Sequence, residues 1–123
     1  RTAFVHGGIT PAHLEYGLEK LDRETRAWLA GTGECPPLIH RGASPTWERV
    51  YSDEVDEAAC EQLEAVLTAL GADRMVVGHT VQPEGIVEHC DREVWCIDTG
   101  MARHYGGPVQ VLEIQRDTVR ILR

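Results

Sequence analysis

The sequence has no long apolar run, because no stretch approaches the roughly 18 to 20 consecutive apolar residues that a membrane-spanning helix needs. It also shows no charged and then apolar segment at its start, the pattern of a secretory signal. Cysteines are few, and they form no CxxC pair and fit no zinc-finger spacing; they are Cys35, Cys60, Cys90 and Cys96. We therefore expect unpaired, mostly buried thiols, no membrane partner, and a reducing, cytoplasmic compartment.

Basic residues are in the minority, with 12 lysines and arginines against 20 acidic residues and a formal charge of −8. Such a charge repels phosphate backbones unless basic residues cluster, and the arginines here are scattered. We expect no nucleic acid partner. What is present, 42% apolar and 26% charged residues in a chain of 123, is the balance of one globular domain with a modest core.

Apolar residues at three- and four-residue steps predict two helices. The first covers residues 11–30 and stops at Gly31, and the second begins after a cap at Ser52 or Asp53 and stops at Gly71. The segment between them is rich in glycine and proline and shows little periodicity, which predicts a long loop.

Short apolar runs predict buried strands at residues 2–5 and 75–77. The remaining runs predict a C-terminal β meander with tight turns, formed by residues 85–89, 94–97, 109–114 and 118–122. The order of elements predicts an α/β (α+β) fold with two helices.

Two histidines follow predicted strands directly. His6 ends the first strand in FVHGGI, and His79 ends the second in VVGHT. Open α/β sheets bind ligands at the carboxyl ends of their strands, and the adjacent glycines let a ligand approach the backbone closely. Neutral imidazole is a common metal ligand, so the pair predicts a metal or phosphate site, although a single such histidine is more often a core residue.

The series FVHGGI, SPTWERVY, RMVVGHTVQ and VWCIDTGM resembles, in order and spacing, the calcineurin-like metallophosphatases, and among them the bacterial Shewanella-like phosphatases. The resemblance covers nearly the whole chain. It implies part of a four-layer α/β/β/α metallophosphoesterase sandwich, and the expected activity is that of a phosphoric monoester hydrolase of the protein serine/threonine phosphatase kind. In that reaction two divalent ions, Mn, Fe or Zn, support hydroxide attack on phosphorus.

The resemblance also assigns roles by position. His6 and His79 are the expected protein ligands of the second metal ion, and Arg49 in PTWER is expected to hold the substrate phosphate with its planar fork of donors. Arg41, beside a glycine, is a rival for the phosphate role. Tyr105 in HYGG is expected either over the mouth of the active site or in a turn between strands. The other four histidines match no ligand motif and are expected to be surface or packing residues; they are His13, His40, His89 and His104.

Three further motifs of the family, GDxHG, GDxxDRG and GNHE, do not occur in the sequence. They supply the first metal ion's ligands, a bridging aspartate, an asparagine ligand and a histidine that acts on the leaving group. We therefore expect residues 1–123 to be the C-terminal part of a single phosphoesterase domain. Its partners would be the missing N-terminal half and a phosphorylated protein or small phosphomonoester. The isolated chain would be inactive, and either marginally stable or self-associating.

Three other functions remain open at this stage. Dinucleotide polyphosphate hydrolases share the HGG-like and GH-like motifs, and a non-catalytic phosphate-binding or interaction remnant would keep the histidines without the missing motifs. The HGG of esterases would also fit His6, but that class needs a GxSxG nucleophile motif, which the sequence lacks.

Overall fold

The computed structural model describes residues 1–40 and 42–123. Within them the chain forms three α-helices and a short 3-10 helix at Pro37–Ile39, and the α-helices are α1 (Pro11–Tyr16), α2 (Leu18–Leu29) and α3 (Glu57–Leu70). The same residues form six strands, β1 (Thr2–Phe4), β2 (Arg74–Val77), β3 (Val87–His89), β4 (Val94–Cys96), β5 (Val111–Gln115) and β6 (Thr118–Leu122). The mixed α/β class expected from the sequence is confirmed.

Four strands form one mixed sheet in the order β1-β2-β4-β3. Strands β1, β2 and β4 are parallel, and β3 returns antiparallel to β4. Strand β2 lies between two neighbours, and Met75, Val76 and Val77 are all buried, as expected of an apolar run covered on both faces. The other two strands, β5 and β6, pair only with each other, as a separate hairpin.

Successive side chains of the central strands point to opposite faces of the sheet, and this divides the hydrophobic core into two halves. Met75 and Val77 point toward the helices, where they pack with residues of α3 such as Leu63 and Val66. Val76, between them, points the other way. On that face Val76 and its neighbours pack against the β5–β6 hairpin, through Leu112, Ile114, Val119 and Ile121. The described residues therefore form three layers: helices, the four-stranded sheet and the hairpin.

The single helix predicted for residues 11–30 is wrong, because Gly17 divides it. Gly17 has φ +94° and ψ 115°, which lies outside the helical region, and its N–H still donates to the carbonyl of His13. A residue with a side chain rarely adopts this φ, so glycine permits the break. Helix α2 then begins at Leu18.

The second predicted helix begins later than expected. Asp56, rather than Ser52 or Asp53, is the N-cap, since its carboxylate accepts a hydrogen bond of 2.8 Å from the backbone N–H of Ala59. Its end at Gly71 is confirmed, because that residue adopts the left-handed conformation with φ 59°.

The strand predictions need two corrections. Phe4 is not buried but 71% exposed, because it points away from the helices while its neighbours Ala3 and Val5 pack against them. The prediction of a single C-terminal β meander is also wrong. Strands β3 and β4 complete the four-stranded sheet, whereas β5 and β6 form a second layer.

Two of the four cysteines, expected to be unpaired, are joined. Cys60 in α3 and Cys90 in the turn between β3 and β4 form a disulfide, with their Cα atoms 5.2 Å apart. Cys35 and Cys96 are free. The 30 residues that separate Cys60 from Cys90 in the sequence do not show whether the two are free thiols or a disulfide. The expectation of a reducing compartment depended on unpaired thiols and therefore loses its basis. Among the described residues, no helix is long and apolar enough to cross a membrane.

Candidate functional site

The two strand-end histidines lie side by side at the carboxyl edge of the sheet. The backbone pairing of β1 and β2 continues past the strands, with Val5 N–H donating to the Val76 carbonyl at 3.1 Å and Gly78 N–H donating to the His6 carbonyl at 2.8 Å. This pairing brings His6 Nε2 to 3.1 Å from His79 Nδ1, with ring centroids 4.9 Å apart. Parallel strands thus unite two residues that are 73 positions apart.

His79 is held in an unusual state. Its φ of 65° places a non-glycine residue in the left-handed region, a conformation that costs free energy and is concentrated at functional sites. Its Nε2 is buried and has no hydrogen-bond partner among the described residues. A buried polar atom without a partner calls for a ligand, ion or water. The indole ring of Trp47 stands edge-on to this imidazole, with centroids 5.0 Å apart.

A loop after the 3-10 helix is held against the glycines that follow His6. The N–H groups of Gly7 and Gly8 both donate to the carbonyl of Pro45, at 2.8 and 3.0 Å. A Cβ at Gly7 would lie 2.7 to 2.9 Å from backbone atoms of Glu48 and Pro45, closer than real Cβ atoms come. Glycine is therefore required here, and this close approach carries the residues that follow Pro45 toward the histidines.

The arginine of this loop reaches the strand end that carries His79. Arg49 Nη1 donates to Thr80 Oγ1 at 3.0 Å, and Ser52 Oγ donates to the same oxygen at 2.8 Å. The side-chain amide of Gln82 donates to the carbonyls of Ser52 and Thr80, at 3.0 and 3.2 Å. Arg49 itself is exposed.

The electrostatics of the site favour neutral imidazole. Burial lowers the pKa of His79, electrostatic interaction with Arg49 and then with His6 lowers it further, and Asp98 opposes the shift. Asp98 lies just beyond β4, where its carbonyl accepts from Gln82 N–H at 2.7 Å. Metal ligation requires a deprotonated ring nitrogen, and a lowered pKa keeps His79 in that form near neutral pH.

The spacing of the two ring nitrogens fits a shared metal ion. With metal–nitrogen bonds of about 2.0 to 2.1 Å, two ligand nitrogens lie about 2.9 Å apart at a right angle and about 3.4 Å apart at the tetrahedral angle. The observed 3.1 Å between His6 Nε2 and His79 Nδ1 lies within this interval. The two histidines therefore fit part of a metal site. They do not form a whole one, because no group of three or more His, Cys, Asp or Glu side chains within the described residues is arranged to hold an ion.

The other predicted residues lie elsewhere or outside the description. Arg41 lies outside the described residues. Tyr105 is 64% exposed in the loop after β4, where its Cβ and Val81 Cγ1 would each lie 2.8 Å from a Cβ added at Gly100. His13 is the packing residue expected: it is buried, its Nδ1 accepts from Thr10 N–H, and its Nε2 lies 2.8 Å from the Ala43 carbonyl. The remaining three, His40, His89 and His104, are exposed or half-buried.

Sequence reasoning missed four residues of the site: Ser52, Trp47, Thr80 and Asp98. Two of them had a local signal, since Thr80 directly follows His79 and Trp47 stands in the same short motif as Arg49. For Ser52 the sequence indicates only one of two possible helix caps, and Asp98 follows a strand that runs parallel to β2. A rule that examines the carboxyl end of every parallel strand would have found Asp98.

Comparison with known proteins finds relatives that are named phosphatases. No family model matches the chain. The chain is 41% identical over 128 residues to Shewanella-like protein phosphatase 2 of Arabidopsis thaliana, and 26% identical over 134 residues to Shewanella-like protein phosphatase 1 of Plasmodium berghei. Each alignment includes 98% of the chain. The chain is thus similar to Shewanella-like protein phosphatases over almost its whole length.

The fold is shared with a solved phosphatase structure. A cold-active protein-tyrosine phosphatase of a psychrophilic Shewanella species matches 99% of the chain with a TM-score of 0.71 and 22% identity. At that identity the match shows the fold alone. The chain spans 33% and 36% of the length of the two relatives and 40% of the solved chain.

Proposed function

We propose that this chain supplies part of the active site of a Shewanella-like phosphatase of the calcineurin-like metallophosphatase superfamily, which hydrolyses phosphoric monoesters of proteins or small molecules. The observation that carries the proposal is the 3.1 Å approach of His6 Nε2 to His79 Nδ1, beside the Arg49 guanidinium. The 41% identity to a relative named as a protein phosphatase supports the same class.

His6 and His79 would hold the second of two divalent ions, Mn, Fe or Zn. When bound, such ions supply a nucleophile at neutral pH and neutralise phosphate charge. Two imidazoles fall short of the three or four protein ligands that a firmly held ion needs. The remaining ligands would come from another part of the same protein, within a four-layer α/β/β/α sandwich.

Arg49 would bind the substrate phosphate. A planar guanidinium can donate to two phosphate oxygens at once, and the Arg49 side chain is exposed beside the histidine pair. The partly buried His79 ring, with Trp47 against it, forms the apolar border of the same site. The substrate would thus lie between a cation and two metal-ligating nitrogens.

The unpaired edge of the sheet at β1 supports a role for further polypeptide of the same protein. In the described part of the chain, β1 pairs only with β2, so its other edge presents unpaired N–H and C=O groups. Beside that edge, a groove of about 460 Å³ is lined mainly by apolar side chains, among them Phe4, Ile97, Met101 and Val111. Phe4 is 71% and Met101 53% exposed. We propose that an N-terminal half of the same domain occupies this edge and groove.

The test compares the chain with a longer product of the same gene, each with Mn²⁺ and p-nitrophenyl phosphate, a phosphoseryl peptide or a phosphotyrosyl peptide. We expect no turnover by the 123-residue chain above that of its His79→Ala variant. The longer protein should turn over substrate, and His79→Ala should lower its kcat/KM by at least about a hundredfold, the scale of losing a metal-held charge interaction.

His89→Ala, in β3 and away from the site, is the matched control and should leave turnover unchanged. Turnover by the chain alone, or full activity of the longer His79→Ala protein, would overturn the proposal. Absence of activity from both forms, with phosphate still bound, would instead identify a non-catalytic phosphate-binding protein.

A further inference from the structure

The partner of Arg49 is a neutral hydroxyl rather than a carboxylate. Its Nη1 donates to Thr80 Oγ1 at 3.0 Å. Arg49 takes part in no ion pair among the residues the structure describes. The two ion pairs there join Arg26 to Asp22 and the terminal amine of Arg1 to Asp73. The guanidinium is therefore held by a neutral partner, with no carboxylate of the described residues paired to it to neutralise its charge.

The hydrogen bonds at Thr80 show how its hydroxyl holds the Arg49 guanidinium. A hydroxyl has one hydrogen to donate and two lone pairs to accept. Thr80 Oγ1 accepts from Arg49 Nη1 at 3.0 Å and from Ser52 Oγ at 2.8 Å. Ser52 Oγ also lies 3.3 Å from the Arg49 carbonyl. Because a hydroxyl has only one hydrogen, we assign it to the nearer acceptor, Thr80 Oγ1. Both lone pairs of Thr80 are then used, and its own hydrogen is left to donate.

The backbone segments that carry the two hydroxyls are joined by the Gln82 side chain. The Gln82 side-chain amide bridges the carbonyls of Ser52 and Thr80, at 3.0 and 3.2 Å. Ser52 is 6% exposed, so its hydroxyl has few alternative partners. Gln82 thereby ties the loop that carries Arg49 to the strand end that carries His79, and the hydroxyl pair has a defined position.

We propose that Thr80, supported by Ser52 and Gln82, is a positioning residue that aims the Arg49 guanidinium at a phosphate and presents its own O–H as a second donor to it. A carboxylate at this place would hold the guanidinium equally well but would cancel its charge and repel a dianion. A hydroxyl fixes the geometry and keeps the full positive charge. This inference rests on the proposed role of Arg49 in phosphate binding.

The experiment is a titration of the chain with inorganic phosphate, followed by NMR through the Arg49 Nε–Hε signal and through backbone amides of residues 79–82. Arg49→Ala, followed on the amides, should raise the Kd at least about tenfold, since hydrogen bonds to charged groups are the strong ones. Thr80→Val, which keeps the shape of the side chain, should raise Kd by about three- to tenfold. Thr80→Ser should restore it to within about twofold, because serine keeps the hydroxyl.

The Thr80→Asp variant separates the position of the Arg49 guanidinium from the net charge around it. Our inference predicts a larger loss of phosphate affinity for Thr80→Asp than for Thr80→Val, although Asp retains the contact to Arg49. Thr118→Val, on the exposed strand β6, is the matched control and should leave Kd unchanged. Should Thr80→Val fail to fold, as judged by circular dichroism, Ser52→Ala serves in its place and should raise Kd in the same direction.

The outcomes distinguish the two proposals. If Arg49→Ala leaves the affinity for phosphate unchanged, the proposed phosphate role of Arg49 fails. If Arg49→Ala weakens binding but Thr80→Val and Ser52→Ala do not, or if Thr80→Asp binds as well as Thr80→Ser, the positioning role fails while the phosphate role stands.

Discussion

Removing the disulfide should lower the stability of the chain by a calculable amount. Cys60 and Cys90 are 30 residues apart in sequence, and their bond closes this loop in the unfolded chain as well as in the folded one. The loop-entropy relation gives about 3.6 kcal/mol at 25 °C for a loop of this length. Both cysteines are only partly buried, so replacing their sulfurs removes little packing.

The local backbone also depends on this link. Cys90 and the two residues after it, Asp91 and Arg92, all have positive φ, at 52°, 51° and 73°. Three consecutive non-glycine residues in the left-handed region cost free energy and persist only when their surroundings hold them. The disulfide anchors this turn to α3, so the turn should become mobile when the bond is broken.

The assay is urea unfolding of a Cys60→Ser, Cys90→Ser double variant, monitored by circular dichroism and tryptophan fluorescence. With an m value of about 1.5 kcal/mol per molar urea, the midpoint should fall by about 2.4 M relative to the oxidised chain. Cys35→Ser is the control and should leave the midpoint unchanged, since Cys35 is free. A loss below about 1 kcal/mol, or four titratable thiols in the native chain, would refute the reasoning.

Three further predictions test the core, a helix cap and a buried thiol. Leu63 is fully buried, so Leu63→Ala should cost about 2 to 5 kcal/mol in urea unfolding, and a loss under about 1 kcal/mol would contradict the assigned core. Asp56→Ala should cost about 1 kcal/mol by removing the α3 cap, whereas the exposed Asp53 should tolerate alanine, and equal effects would contradict the assigned cap. Burial raises the pKa of Cys96 to about 12, while an unfolded thiol ionises near pH 8.5, so stability should fall as pH rises above about 9. Cys96→Ala should remove that pH dependence, and iodoacetamide should label Cys35 but not Cys96 in the native chain; equal labelling would contradict the burial.

Local sequence patterns predicted the elements that place the histidines. Each of the two apolar runs ends in a histidine beside a glycine, and parallel strands carry both ends to one edge of the sheet. These features can be predicted from the sequence because they depend on a few neighbouring residues. The stop of α3 at Gly71 is of the same kind, since glycine favours the left-handed cap.

Features that depend on distant contacts were not predictable in the same way. The break at Gly17 has no distinct signal, because a glycine within a helical pattern is often tolerated. The Cys60–Cys90 bond and the hydroxyl network around Thr80 join residues about 30 positions apart and leave no periodic trace. Whether β5 and β6 extend the first sheet or form a second layer depends on which apolar face they cover, and alternation alone does not decide this.

The most direct test of the account is whether His6 and His79 bind one metal ion together. Titration of the chain with Co²⁺, followed by NMR of the histidine ring signals, should shift or broaden His6 and His79 together, in one shared saturable transition that disappears in either single alanine variant. His13, buried and bonded to Thr10 and Ala43, should be unaffected. If the two rings respond independently, or if other histidines respond first, the two imidazoles do not form a metal site and the account is contradicted.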